Sequence, residues 1–233
     1  MAEDSSSSSG KEKSGGARSR RRNLLEIAIA YTLILLVIWT PRPWQKLLWW
    51  VAAAAVAIIT TISFDGLKAM GLRTANFFRS LWVAGAALLV AAAAIVVAIQ
   101  LHTLRLPDGG PIAFIKTYWA YALWACVQQF LLLGFFLPRF LRLLPGTKSA
   151  AILAASLFAL AHLPNPILTP VTLIWGLAAC LLFLLYRNLY PLAMAHAILG
   201  ITIAITVPGP VDHNMRVGLG YLTYHHHAHH PAQ

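Results

Sequence analysis

Apolar residues along this chain gather into seven long runs separated by short polar stretches, at 24–40, 47–64, 81–101, 118–137, 150–163, 167–186 and 192–207. Their length and near absence of charge predict membrane-crossing helices, each of which needs about 20 residues. The fifth run is short and closed by Pro164-Asn165-Pro166, so a tilted, broken or partly re-entrant helix is expected there. The first run is marginal in length. The pattern predicts an all-α, polytopic transmembrane helix bundle of about seven spans, with six to eight as the range.

The polar stretches divide the chain further. Residues 1–22 (MAEDSSSSSGKEKSGGARSRRR) are Ser- and Gly-rich, charged and without apolar periodicity, so a disordered basic cytoplasmic tail is expected. It is not expected to be a signal peptide, because the run after it is too long and no small-residue cleavage site closes it. Residues 23–112 read as N-terminal transmembrane helices, 113–207 as a core of further helices, and 208–233 as a His-rich tail. Within the first block, 65–80 (DGLKAMGLRTANFFRS) mixes Leu67, Met70, Phe77 and Phe78 with Lys68, Arg73 and Arg79. That mixture predicts an amphipathic helix lying in the membrane interface. Trp44, Trp49, Trp50, Trp82, Trp119 and Trp124 sit near run ends, where aromatic belts form.

Composition excludes a soluble globular protein: 59% of residues are hydrophobic and 11% charged, too little polar surface to cover so much apolar side chain. The net charge of +11 raises the question of nucleic acid, and the placement of the charges answers it. With seven spans and a cytoplasmic N-terminus, thirteen Lys and Arg fall inside and five outside. The outer five are Arg42, Lys46, Arg105, Lys116 and Arg216. This asymmetry follows the positive-inside rule, with the N-terminus in and the C-terminus out. The expected partners of the charge are lipid headgroups, and no nucleic acid is implied. Cys126 and Cys180 both lie in apolar runs and read as packing residues.

Polar groups at membrane depth are costly and mark candidate sites. The runs hold few. Gln128 and Gln129 lie mid-run, His162 ends the fifth run and His196 lies early in the seventh. The adjacent glutamines point about 100° apart on a helix, so at least one should face the bundle. Either an interhelical hydrogen-bond clamp or a reactive site would account for them. Phe158 and His162 share a helix face. Two histidines on neighbouring helices can hold a water; a metal would need a third ligand, and glutamine is a poor one, so no metal or cofactor is expected. No Asp or Glu lies in the middle of any run, and no G-x-S-x-G occurs. The His-rich stretch at 225–230 has no regular ligand spacing and reads as an extension.

The order and spacing of these residues resemble the CPBP family, which comprises CAAX prenyl endopeptidases with bacteriocin-processing and abortive-infection relatives. Its F-x-x-x-H motif is matched by Phe158-Ala-Leu-Ala-His162. Its H-x-x-x-N motif is matched in part by His196-Ala-Ile-Leu-Gly200, and its E-E-x-x-x-R motif aligns with Gln128-Gln129-Phe-Leu-Leu-Leu133. The resemblance covers about 118–207. It implies an intramembrane endopeptidase that cleaves prenylated or membrane-embedded peptides, in a bacterial plasma (inner) membrane. It also implies roles: Gln128 at the base position, His162 as the water partner, His196 as an oxyanion donor, with Gln129 in the second motif position and Phe158 beside substrate. The departures cut against those roles. An amide has no useful basicity, and Gly200 cannot replace an asparagine amide. Gln129 and Leu133 remove the family's Glu and Arg together, as a replaced ion pair would. Two readings therefore stand: an endopeptidase with unusual chemistry, or a catalytically silent relative that binds membrane proteins as a scaffold or immunity factor. A transporter or channel is a third reading with little support.

Overall fold

The computed structural model describes residues 4–64 and 66–224, with side chains from Ser19 onward. The regular elements among the described residues are all helices, without strands: α1 (Asp4–Trp39), α2 (Trp44–Ile62), α3 (Phe77–Ser80), α4 (Trp82–Gln100) and α5 (Gly110–Phe130). A π-helical turn (Leu131–Phe136) joins α5 to α6 (Leu137–Leu143) without a break. There follow α7 (Thr147–Leu160), α8 (Leu168–Tyr186), α9 (Tyr190–Thr206), α10 (Gly209–Asp212) and α11 (Gly218–Leu222). Five stretches are long and apolar enough to cross a membrane: Ser19–Trp39, Trp44–Ile62, Phe77–Gln100, Gly110–Leu143 and Leu168–Tyr186. Thr147–Leu160 and Tyr190–Thr206 are apolar but shorter. The seven apolar runs thus correspond to seven apolar helices of a polytopic bundle. The short fifth run is indeed the shortest of them, ended by Pro164-Asn165-Pro166.

Bilayer-facing side chains stay exposed in the molecule, as on Trp44, Trp50, Trp82 and Trp119. The core is built from close contacts between small residues. The inner face of α7 (Ala150, Ala151, Ala154, Ala155) meets α8 at Gly176, Ala179 and Cys180. Small residues let helix backbones approach, which is how helices associate where no hydrophobic effect drives them together. Helix α9 packs on both α4 and α5, and α1 packs on α2 and α6. Phe135, Leu132, Leu133, Leu137, Phe183 and Leu192 fill the centre. Cys180 is buried as a packing residue, whereas Cys126 is exposed on α5.

Four boundaries differ from those read in the sequence. Residues 1–22 were expected without structure, yet α1 runs back to Asp4. No proline interrupts that stretch, and its Lys, Arg and Glu residues are good helix formers. The fourth span begins at Gly110 rather than at 118, because Ile112, Phe114 and Ile115 continue the apolar face past the single charge of Lys116.

Residues 66–80 do not form the single amphipathic helix expected there. Beyond α3 they are a set of turns with left-handed backbone at Gly66, Gly71 and Asn76. They dock on the α8–α9 connection. Leu189 N–H donates to Gly71 O (3.0 Å), and the Asn188 amide donates to Arg73 O (2.9 Å) and Ala75 O (2.8 Å). Gly71 needs both its positive φ and its missing side chain, since a Cβ there would run into the Phe183 ring.

The fourth difference is the tail. Its described part is ordered into α10 and α11 and folded back over the α7–α8 turn. Fully buried Asn165 donates to Asp212 O (2.7 Å) and Arg216 O (3.0 Å), while its own oxygen accepts from Ile167 N–H and Leu168 N–H. Gly218 N–H donates to Leu163 O at 2.7 Å. The His-rich stretch at 225–230 lies outside the described residues.

Candidate functional site

A cavity of about 910 Å³ lies between α1, α2, α5, α7, α8 and α9. No Asp, Glu, Lys or Arg lines it; its polar lining is histidine, amide, hydroxyl and indole. His162, His196, Gln128, Phe158 and Gly200 all face it, so the structure gathers side chains from helices that the sequence separates by some seventy residues.

Local chain geometry aims each histidine. His162 sits in the turn after α7, and its Nδ1 lies 2.7 Å from Phe158 O, four residues back. A carbonyl oxygen only accepts, so Nδ1 carries the proton. In the neutral imidazole this leaves Nε2 with its lone pair. Phe158 lies edge-on to both rings, 4.9 Å from His162 and 5.8 Å from His196 between centroids, and wedges them apart. Gly176 of α8 makes room for Phe158: a Cβ there would lie 3.2 Å from the ring.

Gln129 is fully buried and is the hub of the second arrangement. Its oxygen is 3.3 Å from Trp175 Nε1 and 2.9 Å from His196 Nδ1. An indole N–H can only donate, so the amide oxygen must face Trp175. That orientation leaves His196 Nδ1 no role but donor. His196 therefore has the same tautomer as His162, with the proton on Nδ1 and the Nε2 lone pair unused. Gln129 Nε2 has no hydrogen-bond partner among the described residues. Of the two readings of the glutamine pair, Gln129 forms the interhelical clamp, tying α5 to α8 and α9, while Gln128 lines the cavity. The π turn starts two residues after Gln129; such wide turns often accompany functional sites in helices.

This tautomer bears on the role inferred for His196. A neutral imidazole held by Gln129 offers a lone pair to the cavity, not a donor, so it would serve an oxyanion only as imidazolium. Leu133, at the position of the family's Arg, is completely buried in apolar packing. Among the described residues no three His, Cys, Asp or Glu side chains gather as a metal site.

Residues 110–202, from the start of α5 into the last turn of α9, match the family model described as Type II CAAX prenyl endopeptidase Rce1-like. Over these residues the chain is similar to the Rce1-like family. The matched segment contains Gln128, Gln129, Phe158, His162, His196 and Gly200, and it builds the cavity walls contributed by α5, α7, α8 and α9. Helices α1, α2 and α4 lie before the Rce1-like segment, and α1 and α2 close the cavity's remaining side. The chain matches no curated protein and no solved structure.

Two features of the site escaped the sequence. Tyr121 lines the cavity with its hydroxyl against Gly200, and Trp175 orients Gln129. Tyr121 lies seven residues before Gln128 and so on the same helix face, which was the available signal. Trp175 carried none, being an apolar residue in an apolar run.

Proposed function

We propose that this protein is an intramembrane peptidase that hydrolyses a prenylated or otherwise membrane-embedded peptide with histidine in place of a carboxylate base. What carries the reading is the pair of histidines held in one tautomer, each presenting an Nε2 lone pair to an apolar cavity. His162 takes a proton from water as it attacks the scissile carbonyl, and Gln128 positions that water. Phe158 packs beside the substrate. The cavity lies among membrane-crossing helices and is lined mostly by apolar side chains, which suits a substrate arriving from the lipid. The N-terminus is assigned to the cytoplasm on the Lys and Arg asymmetry, and the plasma membrane is the proposed location.

A second reading has its own observation. The lack of any carboxylate in the lining favours a silent relative that binds the same class of peptide. Cleavage of an S-farnesylated peptide by the purified protein in nanodiscs separates the two. The peptidase reading expects turnover that His162→Ala lowers by about 10²- to 10⁴-fold, the usual cost of losing a general base. Tight binding of that peptide with no product would establish the silent relative instead.

A further inference from the structure

The site has bases to spare and few donors. Both histidine Nε2 atoms are lone pairs in the tautomers set by Phe158 O and Gln129. Gln129 is outside the lining. Several lining hydroxyls already donate to helix carbonyls: Tyr31 to Leu157 O, Thr61 to Ala57 O, Thr117 to Ala113 O and Thr172 to Leu168 O. A carbonyl oxygen that becomes negative in such a cavity needs a donor, because the low local dielectric makes an unpaired charge costly.

We propose that the Tyr121 hydroxyl is the catalytic residue that binds the substrate's carbonyl oxygen and stabilises the negative charge it acquires. This assignment rests on the peptidase reading and deepens it. Three observations support it. The hydroxyl has no hydrogen-bond partner among the described residues, although Tyr121 lines the cavity. Its oxygen lies over Gly200 so closely that any Cβ at 200 would collide with it, so only glycine admits it there. Gly200 is four residues after His196, on the same face of α9 and about 6 Å further along the axis. The hydroxyl thus lies against α9 one helical turn beyond His196, and both residues line the cavity. A phenol, with an ordinary pKa of about 10, is also a far stronger acid than the Gln128 amide and gives more to a growing oxyanion.

The step balances without another reactant. Water oxygen bonds to the carbonyl carbon, its proton passes to a histidine Nε2, and the C=O π electrons move to oxygen under the Tyr121 hydrogen bond. On collapse the C–N bond breaks and the imidazolium returns the proton to the leaving amine. Tyr121 keeps its own proton throughout.

Tyr121→Phe removes the donor and keeps the ring, and no protein hydrogen bond is lost, so the fold should be retained. With the S-farnesylated peptide, kcat should fall by about 10²- to 10³-fold, as when one oxyanion donor is deleted, with KM within about threefold. Gly200→Ala, which displaces the hydroxyl without removing it, should lower kcat in the same direction. A Tyr121→Phe protein as fast as wild type overturns the assignment and leaves the peptidase reading intact. If wild type cleaves nothing, the peptidase reading fails by itself, and the donor is judged by binding. The probe is then ¹³C-carbonyl-labelled 2-dodecanone, followed by isotope-edited infrared spectroscopy. A bound carbonyl band at lower wavenumber in wild type than in Tyr121→Phe supports the donor; the same band in both, or no bound band, overturns it.

Discussion

Two buried polar clusters sit in this bundle and are built on opposite electrostatic plans. At one end, Glu26 of α1 pairs with Arg139 of α6 at 2.8 Å, and Ser63 after α2 donates to the same carboxylate. The guanidinium also donates to Phe135 O (2.8 Å) and lies 3.6 Å above the Phe135 ring. Nearby, Arg142 donates to Asn23. The second cluster, at His162, His196 and Gln129, holds no formal charge and depends on neutral donors and acceptors. The chain therefore tolerates a buried ion pair where it ties helices together, and has none in the cavity. A charge pair bonded across three elements locks geometry and leaves little to react. Neutral histidines with spare lone pairs cost less to bury and remain available.

The difference can be broken most forcefully at the ion pair. Glu26→Gln should destabilise the protein by about 3–5 kcal/mol, because it strands the buried Arg139 guanidinium, and Arg139→Met by less, because Arg22 still faces the Glu26 carboxylate at 3.5 Å. The double variant should recover most of that loss. Unfolding of all three in detergent completes the cycle, and additive losses would mean the two residues do not act as a pair. A smaller effect is expected from giving the neutral cluster a charge. Gln129→Glu keeps the two accepted hydrogen bonds, from Trp175 and His196, but supplies no cation. A loss of about 2–3 kcal/mol is expected, nearer the cost of a poorly compensated buried polar group than of a bare ion. Adding Leu133→Arg should return part of it. An unchanged Tm for Gln129→Glu would show that this cluster accepts charge as readily as the other.

The smallest effect is expected at the opposite end of the bundle, where Asp212 is fully buried. One oxygen accepts from Asn214 N–H, and the other has no partner among the described residues. Burial pushes its carboxyl above the usual range, partly offset by the Asn214 N–H and by Arg105. The folded state therefore holds this proton more tightly than the unfolded chain does. Stability from this group should be greatest in acid and fall as pH rises from about 4 through the raised value. Asp212→Asn should abolish that slope and shift Tm at neutral pH upward by no more than about 2–4 °C. A thermal-shift series across pH, wild type against variant, reads both.

Much of the fold was legible because bilayer thickness imposes a length on each apolar run. Seven runs mark seven apolar helices, and Pro164-Asn165-Pro166 marks the short one correctly. Segment 65–80 misleads because its composition suits an interfacial helix, while Gly66, Gly71 and Asn76 take backbone conformations no helix allows. At the site, the histidines and glutamines stood out as polar residues in apolar runs, and short motifs tied them together. The Glu26–Arg139 pair was invisible because partners 113 residues apart obey no spacing rule. Tyr121 was hidden for a related reason: its place is set by the absence of a side chain on another helix. Asn165, fully buried, likewise stood in the sequence only as part of a Pro-Asn-Pro break.

The π turn at Leu131–Phe136 has a consequence for how length varies along this helix. A wide turn absorbs an extra residue, so the faces before and after it already point as they would in a regular helix one residue shorter. Deleting a single residue between 131 and 136 would leave Gln129 aimed at His196 and Arg139 aimed at Glu26. Elsewhere in the same helix such a deletion would swing one of them by about 100°. The centre of a buried helix, ordinarily the least forgiving place for an indel, is here the place where one is best tolerated.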